Sequence, residues 1–172
     1  KVIVKTYHDH TSKILLENEL KMYSYLLNTK YKHIPVIKNI GHLYVIMEYK
    51  SQTLQHITID IIYQLKCILE HLHKLNVIHR DIKPQNFLLS NDNRDIYIID
   101  FGLSTSYIDR KKHHIPITYQ DSAIGTIDFI SYYLHEGLSA SRRDDLISMV
   151  YVIIYIYNGI LPWQKEGLKT IY

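Results

Sequence analysis

Two carboxylates, a lysine and an amide stand close together in this chain, at spacings that suit phosphoryl transfer. Three of them fall in the stretch 77–89, VIHRDIKPQNFLL: Asp81, Lys83 and Asn86. The fourth, Asp100, lies in 98–102, IIDFG, after a short polar break. A carboxylate can orient a hydroxyl and accept its proton, which is the role expected of Asp81. Lys83, two residues on, can neutralise charge on a moving phosphoryl group. Asn86 and Asp100 offer hard oxygen donors, the kind Mg²⁺ prefers and shares with phosphates. His79, Arg80 and Asp81 are therefore read as a catalytic loop, and Asn86 and Asp100 as metal ligands.

These residues need elements to hold them. Residues 1–6, KVIVKT, alternate and are β-branched, which predicts a strand. Residues 12–28 carry Leu16, Leu20, Tyr23 and Leu27 at helical spacing, with that face turned inward. Residues 43–49 read as a buried strand. Residues 53–76 are helical by period, with Ile61, Leu65, Ile68 and Leu72 as the stripe, widened by Ile62 and Leu69. Residues 95–102 form a strand ending at Asp100. A last helix follows Ser141, whose spacing to Asp144 resembles a capping box. Its body, 149–157, is apolar nearly all round and is expected to be buried on every side.

Composition sets the outer limits. The chain has 172 residues, 47% of them hydrophobic and 22% charged, a globular balance. Twenty basic against seventeen acidic residues leave +3, too little for a concentrated nucleic-acid face. The local run Arg110-Lys111-Lys112-His113-His114 reads as a solvated loop. Cys67 is the single cysteine, so no internal disulfide forms, which fits a reducing compartment, cytoplasmic or nuclear. The most apolar run, 146–157, is shorter than the roughly 20 residues a bilayer span needs. No nucleic acid, no membrane and a monomer are the expectations.

The composite H-R-D-x-K-x-x-N followed by D-F-G resembles the eukaryotic protein kinases. Several segments are similar to the casein kinase 1 group in particular: Glu19-Leu20-Lys21-Met22-Tyr23, His33-Ile34-Pro35, Tyr97 to Leu103, Gly125-Thr126, Ser141 to Leu146, and Leu161-Pro162-Trp163-Gln164. The resemblance implies an α+β, bilobal protein-kinase-like fold. Residues 1–49 would form a partial small lobe, and 50–172 the hinge and a partial helical lobe. Its activity would be transfer of the ATP γ-phosphate, with Mg²⁺, to serine or threonine of a protein substrate.

The same resemblance assigns the remaining site residues. Lys5 would hold the α- and β-phosphates and pair with Glu19. Ile3 and Leu88 would lie above and below the adenine, Met47 behind it, and Glu48, Tyr49 and Lys50 along its edge as the hinge. Thr126 would hydrogen-bond Asp81 and Lys83 and act with them and Asn86 in catalysis. Arg80 would pair with an anion on the activation segment, and Asp145 would brace the catalytic loop through its backbone.

Departures from the family pattern matter as well. The segment between hinge and long helix is short. Ile3 stands where the family has alanine. Asp128 stands where casein kinase 1 has an arginine that helps bind phosphorylated substrates, so that preference is not inherited. The A-P-E motif is replaced by Ile130-Ser131-Tyr132-Tyr133. The first two strands with their glycine-rich loop and the last helices of the family domain have no counterpart in the sequence, which is expected to be a segment of a longer kinase. The alternative to a segment is a naturally trimmed protein, and the alternative function is a pseudokinase or kinase-fold binding module.

Overall fold

The first strand, β1 (Val2–Lys5), forms from the β-branched run and pairs antiparallel with β3 (Val45–Glu48). β2 (Ile37–Ile40) adds to the other side of β3, giving the order β1-β3-β2. The computed structural model describes residues 1–50, 52–90 and 92–165. In the β1–β3 register Ile3 faces Met47 and Lys5 faces Val45. Cross-strand partners share a face of the sheet, so Ile3 and Lys5 point to the same side as the buried Val45 and Met47.

Between β1 and β2 runs α1 (His10–Asn28). It starts at a capping box in which Asp9 accepts from the Ser12 N–H at 2.8 Å and Ser12 Oγ accepts from the Asp9 N–H at 2.9 Å. Its buried residues are Leu16, Glu19, Leu20, Tyr23 and Leu26. Leu27, expected on this face, is 44% exposed, and Leu26 is fully buried instead. The chain leaves the helix at Thr29 and folds back so that the Tyr31 N–H bonds the Leu26 carbonyl. The next layer therefore packs under Leu26.

After the hinge, residues 52–58 are extended rather than helical. Thr53 bridges Leu88, the Leu54 N–H bonds Phe87 O, and the Leu89 N–H bonds Gln52 O. The long helix α2 (Ile59–Lys74) starts later than the 53–76 periodicity suggested, at Thr58, whose hydroxyl caps the Ile61 N–H. Backbone pairing with the strand under the hinge outcompetes helix over the first residues.

Short pairs follow. β4 (Val77–Ile78) pairs with β7 (Thr105–Ser106), and β5 (Phe87–Leu89) with β6 (Ile96–Ile98). They hold the segment 79–86 and the Asp100 turn against each other. Two four-residue helices, α3 (Tyr132–His135) and α5 (Pro162–Lys165), flank the central helix α4 (Arg142–Asn158). α4 ends at Gly159, which takes the left-handed φ of 77° that terminates helices.

The expectation for α4 is only half met. Its N-terminal end is buried through Asp144, Asp145, Ser148, Met149 and Val152, but Leu146, Val150 and Tyr157 are exposed. α2 and the turn at 127–129 pack on α4, and Trp163 packs on its Tyr151, while Leu146, Val150 and Tyr157 lie where no described element covers them. One hydrophobic core nonetheless spans both parts, from Leu16 and Tyr23 through Phe101 to Leu65, Leu72, Val152 and Leu161. Phe101 is its pivot, edge-on to Tyr23 at 5.4 Å and to His79 at 5.0 Å. Burying such a ring contributes about 1.5–3 kcal/mol. No described helix is long and apolar enough to cross a membrane.

Candidate active site

The catalytic-loop segment is anchored from beneath. Asp145, near the start of α4, accepts the His79 N–H at 2.8 Å and the Arg80 N–H at 2.9 Å. Its Oδ2 also meets His73 Nε2 at 2.9 Å. The His79 ring is fully buried, with Nε2 at 3.0 Å from the Ile99 carbonyl and Nδ1 at 3.3 Å from the Asp81 amide. Nε2 is thus the donor and Nδ1 the acceptor, which is the neutral tautomer. Burial also holds the His79 pKa below its ordinary value. The imidazole is a brace for the loop and for the Asp100 turn.

Arg80 and Asp100 both adopt positive φ, 68° and 66°. Few non-glycine residues do so, and such strain persists where the surroundings fix it. Asp145 fixes the first; the Lys5 contact described below and the buried Phe101 fix the second. The Arg80 guanidinium differs from expectation. Its Nε donates to the Leu103 carbonyl, so the side chain ties the start of the activation segment by a backbone oxygen and not by an anion.

Around Asp81 the bonds are redundant. Oδ1 accepts from the Thr126 N–H at 3.1 Å and the Thr126 hydroxyl at 2.7 Å. Oδ2 lies 2.7 Å from Lys83 Nζ and 3.2 Å from Asn86 Nδ2. Lys83 also donates to Thr126 Oγ1 at 3.0 Å, and Asn86 to the Asp81 carbonyl at 2.8 Å. Burial pushes the Asp81 pKa up, but the Lys83 and Thr126 bonds outweigh it, and the carboxyl sits below its usual value. Gly125 allows Thr126 to come this close: its φ is 115°, and a Cβ there would lie 2.6 Å from the Arg80 carbonyl.

The other side of the cleft is held by one cation. Lys5 Nζ lies 2.6 Å from Glu19 Oε2 and 2.9 Å from Asp100 Oδ1. Burial lowers the Lys5 pKa, yet the two carboxylates outweigh it and hold the ammonium above its ordinary value. Glu19 is 1% exposed and makes no well-aligned hydrogen bond among the described residues, so the ion pair is what meets its charge. Burial pushes its own pKa up against that pair. The protonated Lys5, gripped from two sides, is the state the geometry secures.

Ile3, Met47, Leu88 and the segment 48–50, expected to enclose the adenine, are placed as follows. Met47 and Leu88 are buried, and the bridge from Thr53 to Leu88 places Leu88 directly under the hinge. Ile3 sits above, opposite Met47. The hinge N–H groups of Glu48 and Tyr49, however, are already given to Val36 O and Lys1 O. That of Lys50 is left without a backbone partner among the described residues. The Lys50 side chain turns inward, pairing with Glu48 at 3.1 Å and lying 4.9 Å over the Tyr97 ring.

Asn86 and Asp100 present only oxygen donors to a cation, since the Asn86 NH₂ is committed to Asp81. No group of three or more His, Cys, Asp or Glu among the described residues could hold a metal by itself. That donor set fits Mg²⁺, which takes one or two protein ligands and completes its shell with water and phosphate oxygens.

Two residues of this site were not singled out from sequence. Asn18, beside Glu19, donates its amide to the carbonyls of Phe101 (3.3 Å), Gly102 (2.8 Å) and Ser104 (2.9 Å), tying α1 to the turn after Asp100. His73 supports Asp145. In the sequence, neither differs from an ordinary polar helix residue; the adjacency of Asn18 to Glu19 was the one available signal. The segment replacing A-P-E has its own anchor, Ser131, which caps α3 and bonds Asp144 at 2.5 Å, while Arg143 grips Asp144 at 3.1 Å.

A family model described as protein kinase domain matches residues 1–172, the full length of the chain. The chain belongs to that family.

Proposed function

We propose that this protein kinase domain transfers the ATP γ-phosphate to serine or threonine hydroxyls of proteins, in the manner of the casein kinase 1 group. The observation that carries the reading is the four-way grip on Asp81 by Thr126, Lys83 and Asn86. It leaves the carboxylate ionised and in one orientation, which is what positioning a small aliphatic hydroxyl requires. The Lys83–Thr126 bond supports serine and threonine as acceptors, since this lysine and threonine are the pair that the resemblance links to Ser/Thr kinases.

Bound Mg·ATP supplies the transferable phosphoryl group and the cation that offsets its charge. Asn86 and Asp100 would hold the cation, and Lys5 the phosphates. Asp81 would orient the acceptor hydroxyl and take its proton as the new P–O bond forms and the bond from the γ-phosphorus to the departing ADP oxygen breaks, and Lys83 would offset charge on that side. Ile3, Met47, Leu88 and the hinge at Glu48, Tyr49 and Lys50 would enclose the adenine. Arg80, Asn18 and His79 keep the activation segment and the Asp100 turn in register with these groups.

The test is phosphate incorporation into a serine-containing and a tyrosine-containing protein substrate by wild type and Asp81→Asn. Transfer to serine that falls about 10²–10⁴-fold in the variant is expected. Equal incorporation by the variant would remove Asp81 from the chemistry. Binding of Mg·ATP without transfer by the wild type would favour a pseudokinase.

A further inference from the structure

We propose that Asp128 is a specificity-determining residue, a carboxylate that receives a lysine or arginine side chain of the protein substrate. The inference rests on the kinase reading above and adds the chemistry of the substrate next to its hydroxyl.

Asp128 lies on the short turn Ile127–Phe129 that begins at Thr126. Thr126 itself bonds Asp81, so this turn forms the rim of the acceptor site. Two Cα steps separate Asp128 from Thr126, at most ~7.6 Å. An extended peptide advances about 3.3 Å per residue. A long cationic side chain within a few positions of the acceptor hydroxyl can therefore reach Asp128.

The carboxylate is held ready. Gln164 Nε2 donates to Asp128 Oδ2 at 2.7 Å, and the Gln164 Oε1 is in turn held by the Leu161 N–H at 3.0 Å. The Trp163 indole N–H donates to the Asp128 carbonyl at 3.2 Å, and Trp163 is wedged edge-on against Tyr151 at 4.8 Å. Side chain and backbone of Asp128 are thus both fixed by the segment after α4. A carboxylate ordered in advance loses little rotamer freedom when it binds.

No ion pair to Asp128 occurs among the residues whose side chains are described. The arginines of this region are committed elsewhere. Arg143 pairs with Asp144 and lies 3.7 Å over the Tyr133 ring, Arg142 stacks 4.5 Å over Tyr107, and Arg80 is tied to Leu103. Gln164 occupies one oxygen with a neutral donor and leaves the other for a cation. A half-buried, oriented carboxylate attracts a cation and repels phosphate or glutamate.

The test uses one serine peptide in four forms, with Lys, Gln, Glu or phosphoserine substituted at the positions flanking the acceptor. Steady-state kinetics are compared for wild type, Asp128→Asn and Asp128→Arg, together with fluorescence-anisotropy binding of versions whose acceptor is alanine. Asp128→Asn keeps an oxygen for Gln164, and thermal melting checks that it folds. Wild type is expected to favour the Lys form over the Glu form about tenfold, mainly through KM. Asp128→Asn should erase that ratio and Asp128→Arg invert it. Transfer that ignores peptide charge, or a ratio identical in wild type and Asp128→Asn, overturns the inference and leaves the kinase reading standing. Lys-dependent binding with no transfer to any form overturns the kinase reading and keeps the cation site. Neither transfer nor charge-dependent binding overturns both.

Discussion

The two walls of the cleft are built on different principles. On the acceptor side, Asp81 has four donors on its two oxygens, and the loop carrying it hangs by two backbone bonds from a buried aspartate on another element. On the opposite side, a single lysine bridges Glu19 and Asp100, and the strand bearing it is exposed along Val2, Ile3 and Val4. The first wall is redundant, so losing one peripheral bond leaves its shape. The second is a clasp, and everything it aligns depends on one ammonium. The difference suits their tasks. In the proposed reaction an acceptor hydroxyl is small and must meet a fixed carboxylate, whereas a nucleotide brings charges of its own.

Removing the anchor of the redundant wall should have the largest effect on stability. Asp145→Ala orphans the His79 and Arg80 N–H groups and the His73 ring inside the protein. The expected loss is about 3–5 kcal/mol, read from urea unfolding, with activity lost in parallel. A loss below about 1 kcal/mol would show that the loop holds itself and that the contrast is overstated.

The clasp should fail with a smaller and more specific signature. Lys5→Met leaves Glu19 buried with no cation. Because Lys5 is itself more than a third exposed, the pair is partly screened, and roughly 1–2 kcal/mol is expected. The double variant Lys5→Met/Glu19→Leu should regain most of that stability but none of the nucleotide binding. Recovery of binding by the double variant would argue against Lys5 as a phosphate ligand.

The smallest effect separates the walls by pH. His79 has a folded pKa below its ordinary 6.5 because it is buried neutral. Its contribution is therefore present above pH 6.5 and lost as pH falls through the folded value. The slope is at most about 1.4 kcal/mol per pH unit for one proton. Lys5 keeps its charge across that window, since its pKa is raised above 10.5, and its contribution is lost only as pH rises through the folded value. Melting temperature measured from pH 7.5 down to 5 should fall, with a shallower slope in His79→Asn. Equal slopes would assign the acid sensitivity elsewhere, His33 being the other histidine lowered by burial.

Much of this was legible in the chain itself. The motif spacings placed Asp81, Lys83, Asn86 and Asp100 on neighbouring turns, while helical period put Glu19 only beside the buried face and the family resemblance singled it out. Such inferences succeed because they depend on local geometry, on 3.6 residues per turn and on alternation along a strand. Leu27 and residues 53–57 went astray for the opposite reason. A periodic stripe does not reveal which of two adjacent leucines the next layer covers, nor when a distant strand will claim a segment that could be helical. The apolar circumference of α4 likewise reflects composition, while its exposure reflects which elements pack on it.

What the sequence by itself determined is the set of reactive groups and the order in which they occur, since residue type and near-neighbour spacing fix their chemistry. Only the tertiary structure decided how they are held. Asp145 lies 64 residues from Asp81, Asn18 lies 83 from Phe101, and Gln164 lies 36 from Asp128. No local pattern connects such pairs. They meet because burying Phe101, Leu72 and Val152 in one core brings their elements together, and buried polar groups then bond whatever donors or acceptors that packing sets beside them.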